Sequence, residues 1–393
     1  MEYNPFFPEV RENPYPYYAY LRQHAPVYQI EGMGFWAISR YDDVLFALKN
    51  PQIFSSTILV SAMMGDLNPF TPEAPSMFCS DPPYHTRQRK LVNRAFTPRR
   101  IASLETQLRD RVAQLLERAA TQGEFDVVRD LAVPLPVMAI ADLLGIPSER
   151  YQEFKLWADD IVKAMNGTEV QGEERVRIRR SLDDFRNYFR TESEKYRREP
   201  KDTLLSDLVR AEEENQTLTP EEVVTMAVLV LAAGSETTTN LLGNAMLALF
   251  KHPEQLQQVQ ANPALVPGVL EETLRYDAPV QLFPRLVMQD VQVAGTNLPA
   301  GTVVLVMYAS ANHDERKFPE PHRFDIGRNP EGHLAFGFGV HFCLGSQLAR
   351  LEAKIALETL LTRFPRLARK DEKVIRIETP FLRGLKTLPL MVG

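Results

Sequence analysis

One continuous helical pattern, from Thr219 to Phe250, constrains the fold of this 393-residue chain more than any other feature. It starts with Thr-Pro-Glu-Glu, which supplies an N-cap threonine, a proline at the first helical position and a glutamate three residues after the cap. At 1.5 Å per residue the helix would be about 47 Å long, enough to cross a whole domain. Its most apolar run, Val223 to Gly234, has 12 residues. That run is too short to span a bilayer core of about 30 Å, so we predict a buried helix.

Short β patterns stand on both sides of this helical section. They occupy residues 26–30, 35–39, 286–293, 302–307 and 374–392. Between them, from Arg100 to Asn262, apolar residues recur with a helical period. Two proline-rich segments are candidate linkers. However, the helices and strands before each segment need packing partners from those after it. We therefore predict a mainly α fold with small β-sheets (α+β), organised as a single domain over residues 1–393.

Charge and cysteine content exclude several classes of protein. The 45 basic and 51 acidic side chains leave a net charge of −6, which argues against a nucleic-acid-binding or membrane-surface role. The two cysteines, Cys79 and Cys343, are too few for a disulfide framework and favour a reducing compartment. The first twenty residues lack the pattern of a secretory signal. We expect a cytoplasmic enzyme-sized protein.

The residues around the second cysteine have an unusual composition. Residues 336–345 read Phe-Gly-Phe-Gly-Val-His-Phe-Cys-Leu-Gly, directly before a helical pattern. Glycines permit a tight bend and close backbone approach to a flat ligand. Cys343 would stand just before a helix N-terminus, where exposed amides and the positive dipole end favour a thiolate. A thiolate suits a haem iron because it pushes electron density into bound oxygen, whereas Cys79 fits a small buried hydrophobe.

This stretch resembles the haem-binding loop of the cytochrome P450 family, matching Phe-Gly-x-Gly-x-His-x-Cys-x-Gly at every fixed position. Three further motifs match in the family's order, from about Asp81 to the C-terminus. The resemblance implies the P450 fold, with the long central helix over a haem b group. It makes Cys343 the axial ligand of the haem iron and Phe336, His341 and Gly345 further haem contacts.

A second motif, Glu272-Thr-Leu-Arg275, resembles the family's Glu-x-x-Arg. The acid and the arginine share a helix face and can form a hydrogen-bonded pair, although taken alone most such pairs are solvated surface charges. With Arg323, they resemble the family's buried Glu-Arg-Arg cluster, which braces the haem loop. The implied role is structural.

A third motif, Glu236-Thr237, lies within the long helix. The preceding Gly234 weakens the helix and leaves room beside a ligand, and threonine hydroxyls there can bond the carbonyl one turn back. A local kink is the alternative interpretation. The resemblance implies that Glu236 and Thr237 form the acid–alcohol pair that manages protons at bound dioxygen, a general acid role.

The fourth motif places His85 and Arg89 four residues apart, on one face of a helix, where they could grip an anionic haem propionate. A solvated basic face is the alternative. The resemblance assigns the propionates to this pair and to Arg285 and His341.

Six further cations are candidates for a positive face that docks an acidic electron carrier, with scattered surface charge as the alternative. They are Arg87, Lys90, Arg94, Arg99, Arg100 and Arg350.

Substrate contacts come from the family's positions and are mainly apolar, so a bulky hydrophobic substrate is expected. The residues are Leu59, Ala233, Val280, Leu282, Phe283 and Leu382, together with the loop 56–78. Each could equally be plain core.

The implied activity is that of a monooxygenase, which inserts one oxygen atom from dioxygen into a hydrophobic small molecule by hydroxylation or epoxidation. The closest implied setting is secondary metabolism, such as polyketide, macrolide or terpenoid tailoring. The sequence carries no nicotinamide or flavin motif and no clustered cysteines for an iron–sulfur module. Electrons are therefore expected to come from NAD(P)H through an external ferredoxin and ferredoxin reductase, or a flavodoxin. The protein itself is expected to be a monomer.

Three alternatives remain at this point: a peroxide-driven haem-thiolate peroxygenase, a non-catalytic haem-binding auxiliary protein, and a cysteine hydrolase using Cys343. Retention of Glu236 and Thr237 argues against the first two. The absence of an evident histidine–acid arrangement around Cys343 argues against the third.

Overall fold

Helices account for most of the regular structure, as the periodicity of the middle section predicts. The computed structural model describes residues 1–59, 67–122, 124–165, 170–213 and 216–392. The chain forms two compact units, each held together by contacts among its own residues. Unit 1 comprises Met1–Ser55, Leu108–Leu135 and Thr237–Gly393, and unit 2 comprises Ser56–Gln107 and Pro136–Glu236. The single domain over residues 1–393 stays a prediction.

The helices of the described residues are numbered in chain order. They are α1 Pro8–Glu12, α2 Tyr15–His24, α3 Tyr41–Lys49, α4 Tyr84–Ala95, α5 Pro98–Ser103, α6 Glu105–Gln122, α7 Pro134–Leu144, α8 Tyr151–Met165, α9 Gly172–Arg198, α10 Leu204–Arg210, α11 Pro220–Lys251, α12 Pro253–Ala261, α13 Val266–Tyr276, α14 Tyr308–Ala311 and α15 Ser346–Arg363. Among the described residues, none of these helices combines the length and apolar character that crossing a membrane requires.

The strands are short. They are β1 Val27–Gln29, β2 Phe35–Ile38, β3 Phe54–Ser55, β4 Glu124–Asp126, β5 Glu212–Glu213, β6 Gln216–Thr217, β7 Phe283–Val287, β8 Val291–Val293, β9 Thr296–Leu298, β10 Val303–Val306, β11 Ala368–Arg369 and β12 Pro389–Met391. The mainly α fold with small sheets is thus confirmed.

The main sheet of unit 1 has the strand order β1-β2-β10-β7-β3. The strands predicted at 26–30 and 35–39 are present as the antiparallel pair β1–β2, and β10 joins β2 in parallel and β7 in antiparallel register. Apolar residues of these strands, such as Ile38, Val287 and Val304, form a buried cluster with α3. Val280 and Phe283 pack against this cluster. The sheet therefore supports the segment that precedes β7.

The strand pattern predicted over 374–392 is only partly present, because β12 covers Pro389–Met391 alone. Two isolated antiparallel bridges, Val280↔Leu382 and Arg376↔Leu385, replace the longer strand. Pro380 cannot donate a backbone hydrogen bond, which limits any regular ladder there.

The N-terminus of the long helix, in unit 2, has the predicted capping box. The Thr219 hydroxyl accepts from the backbone N–H of Glu222 at 3.2 Å, and the Glu222 carboxylate accepts from the backbone N–H of Thr219 at 2.9 Å. The helix then runs from Pro220 to Lys251.

Unit 2 also contains an aromatic seam between α8 and α9. The Trp157 ring lies 5.6 Å from that of Phe185 in an edge-to-face arrangement, and Phe185 lies 4.5 Å from Phe189. Such pairs add to the stability that burial alone supplies to the two helices.

Candidate active site

The loop around Cys343 is closed by its own backbone. The N–H of Cys343 donates to the carbonyl of Phe336 at 2.9 Å, and the N–H of Gly337 donates to the carbonyl of Leu334 at 2.9 Å. Gly337 and Gly339 both have a φ of 70°, which other residues adopt at a cost. A Cβ at Gly339 would lie 2.9 Å from the carbonyl oxygen of Leu48 in α3. Glycine is therefore required both for the bend and for close approach to α3.

Cys343 lies three residues before α15 and is half-buried, whereas Cys79 is buried. The predicted position just ahead of a helix N-terminus is present. A sulfur held there by a closed loop would suit a ligand of a haem iron, and the buried Cys79 suits a packing role.

An ion pair that the sequence analysis missed braces this loop from α13. Arg350 donates from Nε and Nη2 to the carboxylate of Glu271 at 2.5 and 2.9 Å. The Arg350 guanidinium also lies 4.4 Å from the centroid of the Phe336 ring. Burial would raise the pKa of Glu271, but its hydrogen bonds with Arg350 and His333 lower that pKa to about 2. The only sequence signal was the second acid beside Glu272.

The Glu272–Arg275 pair on α13 forms as predicted, and both side chains are fully buried. Arg275 donates from Nε and Nη2 to the Glu272 carboxylate at 2.9 and 2.8 Å, and from Nη1 to the carbonyl of Pro321 at 2.8 Å. The backbone N–H of Asp325 adds a further bond to Glu272 at 3.0 Å. The pair therefore fixes the segment around 321–325.

The prediction that Arg323 completes this cluster is corrected by the structure. The Arg323 side chain is 61% exposed and pairs with Glu320 and Asp325 at 3.4 and 3.6 Å. Arg328 takes the predicted place: its Nε lies 3.2 Å from Glu272 and its side chain is 14% exposed. The chain turns between the two arginines, and only Arg328 then reaches inward.

Glu236 and Thr237 occupy the middle of α11, and both are half-buried. Gly234 packs against α7, since a Cβ there would lie 2.8 Å from the Ile140 side chain, and its predicted place beside a ligand stays a prediction. Gly234 therefore makes room for a neighbouring helix. A bond to the preceding turn is made by Ser235, whose hydroxyl donates to the carbonyl of Leu231 at 2.8 Å. The bond expected from a threonine hydroxyl stays a prediction.

The four residues assigned to the haem propionates are divided between the units. His85 and Arg89 lie on α4 of unit 2, Arg285 is buried on β7 of unit 1, and His341 ends a 3₁₀ turn at Gly339–His341. Burial and the nearby Arg89 charge lower the pKa of His85 to about 4, so this imidazole is neutral at pH 7. A cation and a neutral ring on one helix face are suitable donors for a carboxylate. The donor types present, a thiol with cationic and imidazole groups, fit a haem.

Three of the six cations proposed for electron-carrier docking have carboxylate partners. Arg87 pairs with Glu222, Arg100 pairs with Asp207 at 2.6 Å, and Arg350 pairs with Glu271. These three are therefore locally neutralised. The side chains of Lys90, Arg94 and Arg99 are exposed to solvent.

The six candidate substrate contacts differ in burial. Leu59 and Leu282 are fully buried, Ala233 is exposed on α11, and the remaining three are half-buried: Val280, Phe283 and Leu382. Residues 60–66 of the predicted substrate loop lie outside the described residues. The structure directly pairs Val280 with Leu382 across an antiparallel bridge.

Comparison with known proteins identifies the family. The Cytochrome P450 family matches residues 5–392. The chain is 39% identical over 391 residues to the cytochrome P450 monooxygenase PikC of Streptomyces venezuelae, covering 96% of this chain and 91% of PikC. It is also 39% identical over 392 residues to the vitamin D(3) 25-hydroxylase of Pseudonocardia autotrophica, covering 97% and 94%.

The solved structure of cytochrome P450 CYP109Q5 from Chondromyces apiculatus superposes with a TM-score of 0.91 at 40% identity, covering 100% of this chain and 98% of that one. Extensive identity in sequence and fold, together with the loop geometry around the cysteine, leads to one conclusion. The chain belongs to the cytochrome P450 family and is a monooxygenase that uses haem and dioxygen.

Proposed function

We propose that the chain holds a haem b through Cys343 and uses it to insert one oxygen atom into a hydrophobic small molecule. The observation that carries this proposal is the closed, glycine-shaped loop that presents the half-buried Cys343 just ahead of α15. When bound, haem with a thiolate ligand supplies the chemistry that cleaves the O–O bond. Phe336 and Gly345 contribute to the surface of the same loop.

Glu236 and Thr237 are the residues assigned to proton transfer. Their half-buried positions in the middle of α11 combine a carboxyl and a hydroxyl, which can pass a proton directly or through water. Thr237 would hold a proton donor near bound dioxygen, and Glu236 would replenish it.

His85, Arg89, Arg285 and His341 would hold the haem carboxylates. His85 can donate a hydrogen bond from its ring, while the two arginines supply positive charge. Their task is to orient the haem plane.

The substrate proposed is a hydrophobic molecule of secondary metabolism, such as a polyketide, macrolide or terpenoid undergoing hydroxylation or epoxidation. The candidate contacts Leu59, Ala233, Val280, Leu282, Phe283 and Leu382 are all apolar, and the related vitamin D(3) 25-hydroxylase has by its name an apolar substrate. Apolar burial at about 25 cal/mol per Å² would then supply most of the affinity.

Electrons would come from NAD(P)H through a separate ferredoxin and ferredoxin reductase, or a flavodoxin, acting on a cytoplasmic monomer. Bacterial members of this family typically need redox partners, which supports an external electron supply. The side chains of Lys90, Arg94 and Arg99 are exposed and are candidates for attracting an acidic carrier.

The carbon monoxide difference spectrum of the reduced protein tests the role of Cys343. We expect a band at about 450 nm in the haem-loaded wild type. The band should be lost in Cys343→Ala and retained in the matched control Cys79→Ala. Haem-loaded wild type without this band would refute the proposal.

The proton-transfer role is tested by Thr237→Ala with Thr238→Ala as the neighbouring control. We expect Thr237→Ala to bind haem and substrate but to divert reducing equivalents into peroxide. Unchanged coupling would contradict the assignment. Turnover with peroxide but none with dioxygen and ferredoxin would favour a peroxygenase instead.

A further inference from the structure

Two segments of unit 1 that carry candidate substrate contacts are joined in a short antiparallel ladder. The N–H of Gln281 donates to the carbonyl of Phe381 at 2.8 Å, and the N–H of Arg383 donates to the carbonyl of Pro279 at 2.8 Å. Between these two bonds, Val280 faces Leu382 as a non-hydrogen-bonded pair. Side chains at such a pair are close together and on the same face of the ladder.

Strand alternation sends the flanking side chains to the opposite face. Gln281 and Arg383 are therefore on one face, while Val280 and Leu382 are on the other. Gln281 and Arg383 are 4% and 7% exposed, whereas Val280 and Leu382 are only half-buried. One face of the ladder is anchored, and the other keeps part of the Val280 and Leu382 side chains exposed beside the core cluster that Val280 packs against.

The anchored face is tied to the N-terminal helices. Arg383 donates from Nη1 and Nη2 to the carbonyls of Arg11 and Glu12 at 2.7 and 3.1 Å, at the C-terminal end of α1. A cation is favourable there because the last carbonyls of a helix lack intrahelical donors. The hydroxyl of Tyr18 on α2 donates to the side-chain carbonyl of Gln281 at 3.0 Å.

Asp277 connects these anchors at the end of α13. Its Oδ1 accepts from Arg383 Nε at 2.7 Å and from the Tyr15 hydroxyl of α2 at 2.5 Å. The Asn244 side chain of α11 donates to the carbonyls of both Asp277 and Arg383 at 2.9 Å. Both ends of the ladder are thus fixed by buried, directional bonds.

We propose that Arg383 and Gln281 are positioning residues that set the separation of Val280 and Leu382. That separation determines which ligand shapes bind. Asp277, together with Tyr15 and Tyr18 of α2, holds the two positioning residues in place. The N-terminal helices then act in substrate selection from behind the contact surface. This inference rests on the proposed function, because it takes Val280 and Leu382 as substrate contacts.

Two iron-binding azoles test it without requiring the natural substrate. Imidazole is small and should be insensitive to the pocket wall, whereas 4-phenylimidazole carries a bulky ring that must fit it. Affinities of both are measured from the Soret shift in Tyr15→Phe, Tyr18→Phe, Arg383→Lys and Arg383→Met. The matched control is Tyr41→Phe, which loses a 2.7 Å hydrogen bond to the carbonyl of Gly332 elsewhere in unit 1.

We expect imidazole to bind all variants as it binds wild type. The ratio of the two affinities should change by about threefold to tenfold in Arg383→Met, less in Arg383→Lys, and measurably in Tyr15→Phe and Tyr18→Phe. Should Arg383→Met fail to take up haem, the two tyrosine variants, each missing one hydroxyl, decide the question.

An unchanged ratio in the variants of Tyr15, Tyr18 and Arg383 would overturn the inference, as would an equal change in Tyr41→Phe. The proposed function fails in a different way: wild type in which neither azole shifts the Soret band would refute haem binding itself, and the inference with it.

Discussion

Two buried carboxylate–arginine clusters stand at the end of α13, and they are built differently. Glu272 is bound by Arg275, three residues away, and by Arg328, 56 residues away. Asp277 is bound by Arg376, Arg383 and Tyr15, which are 99, 106 and 262 residues away. The first cluster starts from a local helical pair, whereas the second exists only after both termini of the chain have folded.

The difference also concerns what each cluster supports. The Glu272 cluster bonds to backbone groups of the segment 312–325, on the approach to the cysteine loop. The Asp277 cluster bonds to the ladder that carries Val280 and Leu382. We therefore expect disruption of the first to affect haem retention and disruption of the second to affect ligand selection.

The largest effect is expected from Glu272→Gln. This change leaves Arg275 and Arg328 without their carboxylate in a fully buried position, where removing one partner of an ion pair costs about 3–5 kcal/mol. We expect much lower haem content and a lower free energy of unfolding by urea titration. Glu320→Gln, which removes an exposed partner of Arg323, should change neither. Equal effects of the two changes would contradict the bracing role.

Asp277→Asn comes next, with an expected loss of about 2–4 kcal/mol at pH 7, because Arg376 and Arg383 lose their counter-charge. Burial would raise the pKa of Asp277, but Arg376 and Arg383 outweigh it and hold the pKa well below its ordinary value. The carboxylate therefore contributes its stability above about pH 4, and the contribution disappears as pH falls toward the lowered folded-state pKa.

Unfolding of the wild type and Asp277→Asn across this acid range measures the effect. The difference in stability between the two proteins should be constant near neutral pH and shrink below about pH 4. A difference that grows on acidification would show that Asp277 is not ionised in the folded protein.

A smaller effect separates the two arginines near Glu272. Arg328→Ala should cost about 1.5–3 kcal/mol, because Arg328 bonds to Glu272 and to the carbonyls of Pro319 and Glu320. Arg323→Ala should change stability by less than about 0.5 kcal/mol, since its side chain is 61% exposed. Comparable losses of stability in both variants would show that Arg323 belongs to the Glu272 cluster.

The smallest effect is expected from Tyr15→Phe, which removes one hydrogen bond to Asp277 and keeps the ring stacked on His313 at 4.5 Å. We expect a loss of about 1 kcal/mol by urea unfolding. Loss of haem from this variant, with Tyr41→Phe unaffected, would remove the distinction between the two clusters.

Short sequence patterns predicted many of the structural features correctly. Four correct predictions depend on residues within a few positions of one another: the strands at 26–30 and 35–39, the cap at Thr219, the position of Cys343 before α15 and the Glu272–Arg275 pair. The family resemblance assigned Arg323 to the cluster and did not point to Arg328, because a motif does not show which way the chain turns between the two. Arg350 was also placed on a docking surface, since its partner Glu271 is 79 residues away.

By itself the sequence determined the elements and the chemistry: a long capped helix, a glycine-shaped cysteine loop, and an acid–alcohol pair in mid-helix. Periodicity, capping and backbone freedom are properties of neighbouring residues, so they can be read along the chain. The tertiary structure alone decided which charges meet. Burial makes an unpaired charge costly, so each buried arginine or carboxylate needs a partner wherever in the chain that partner lies. Asp277, with partners from both ends of the chain, is the clearest example.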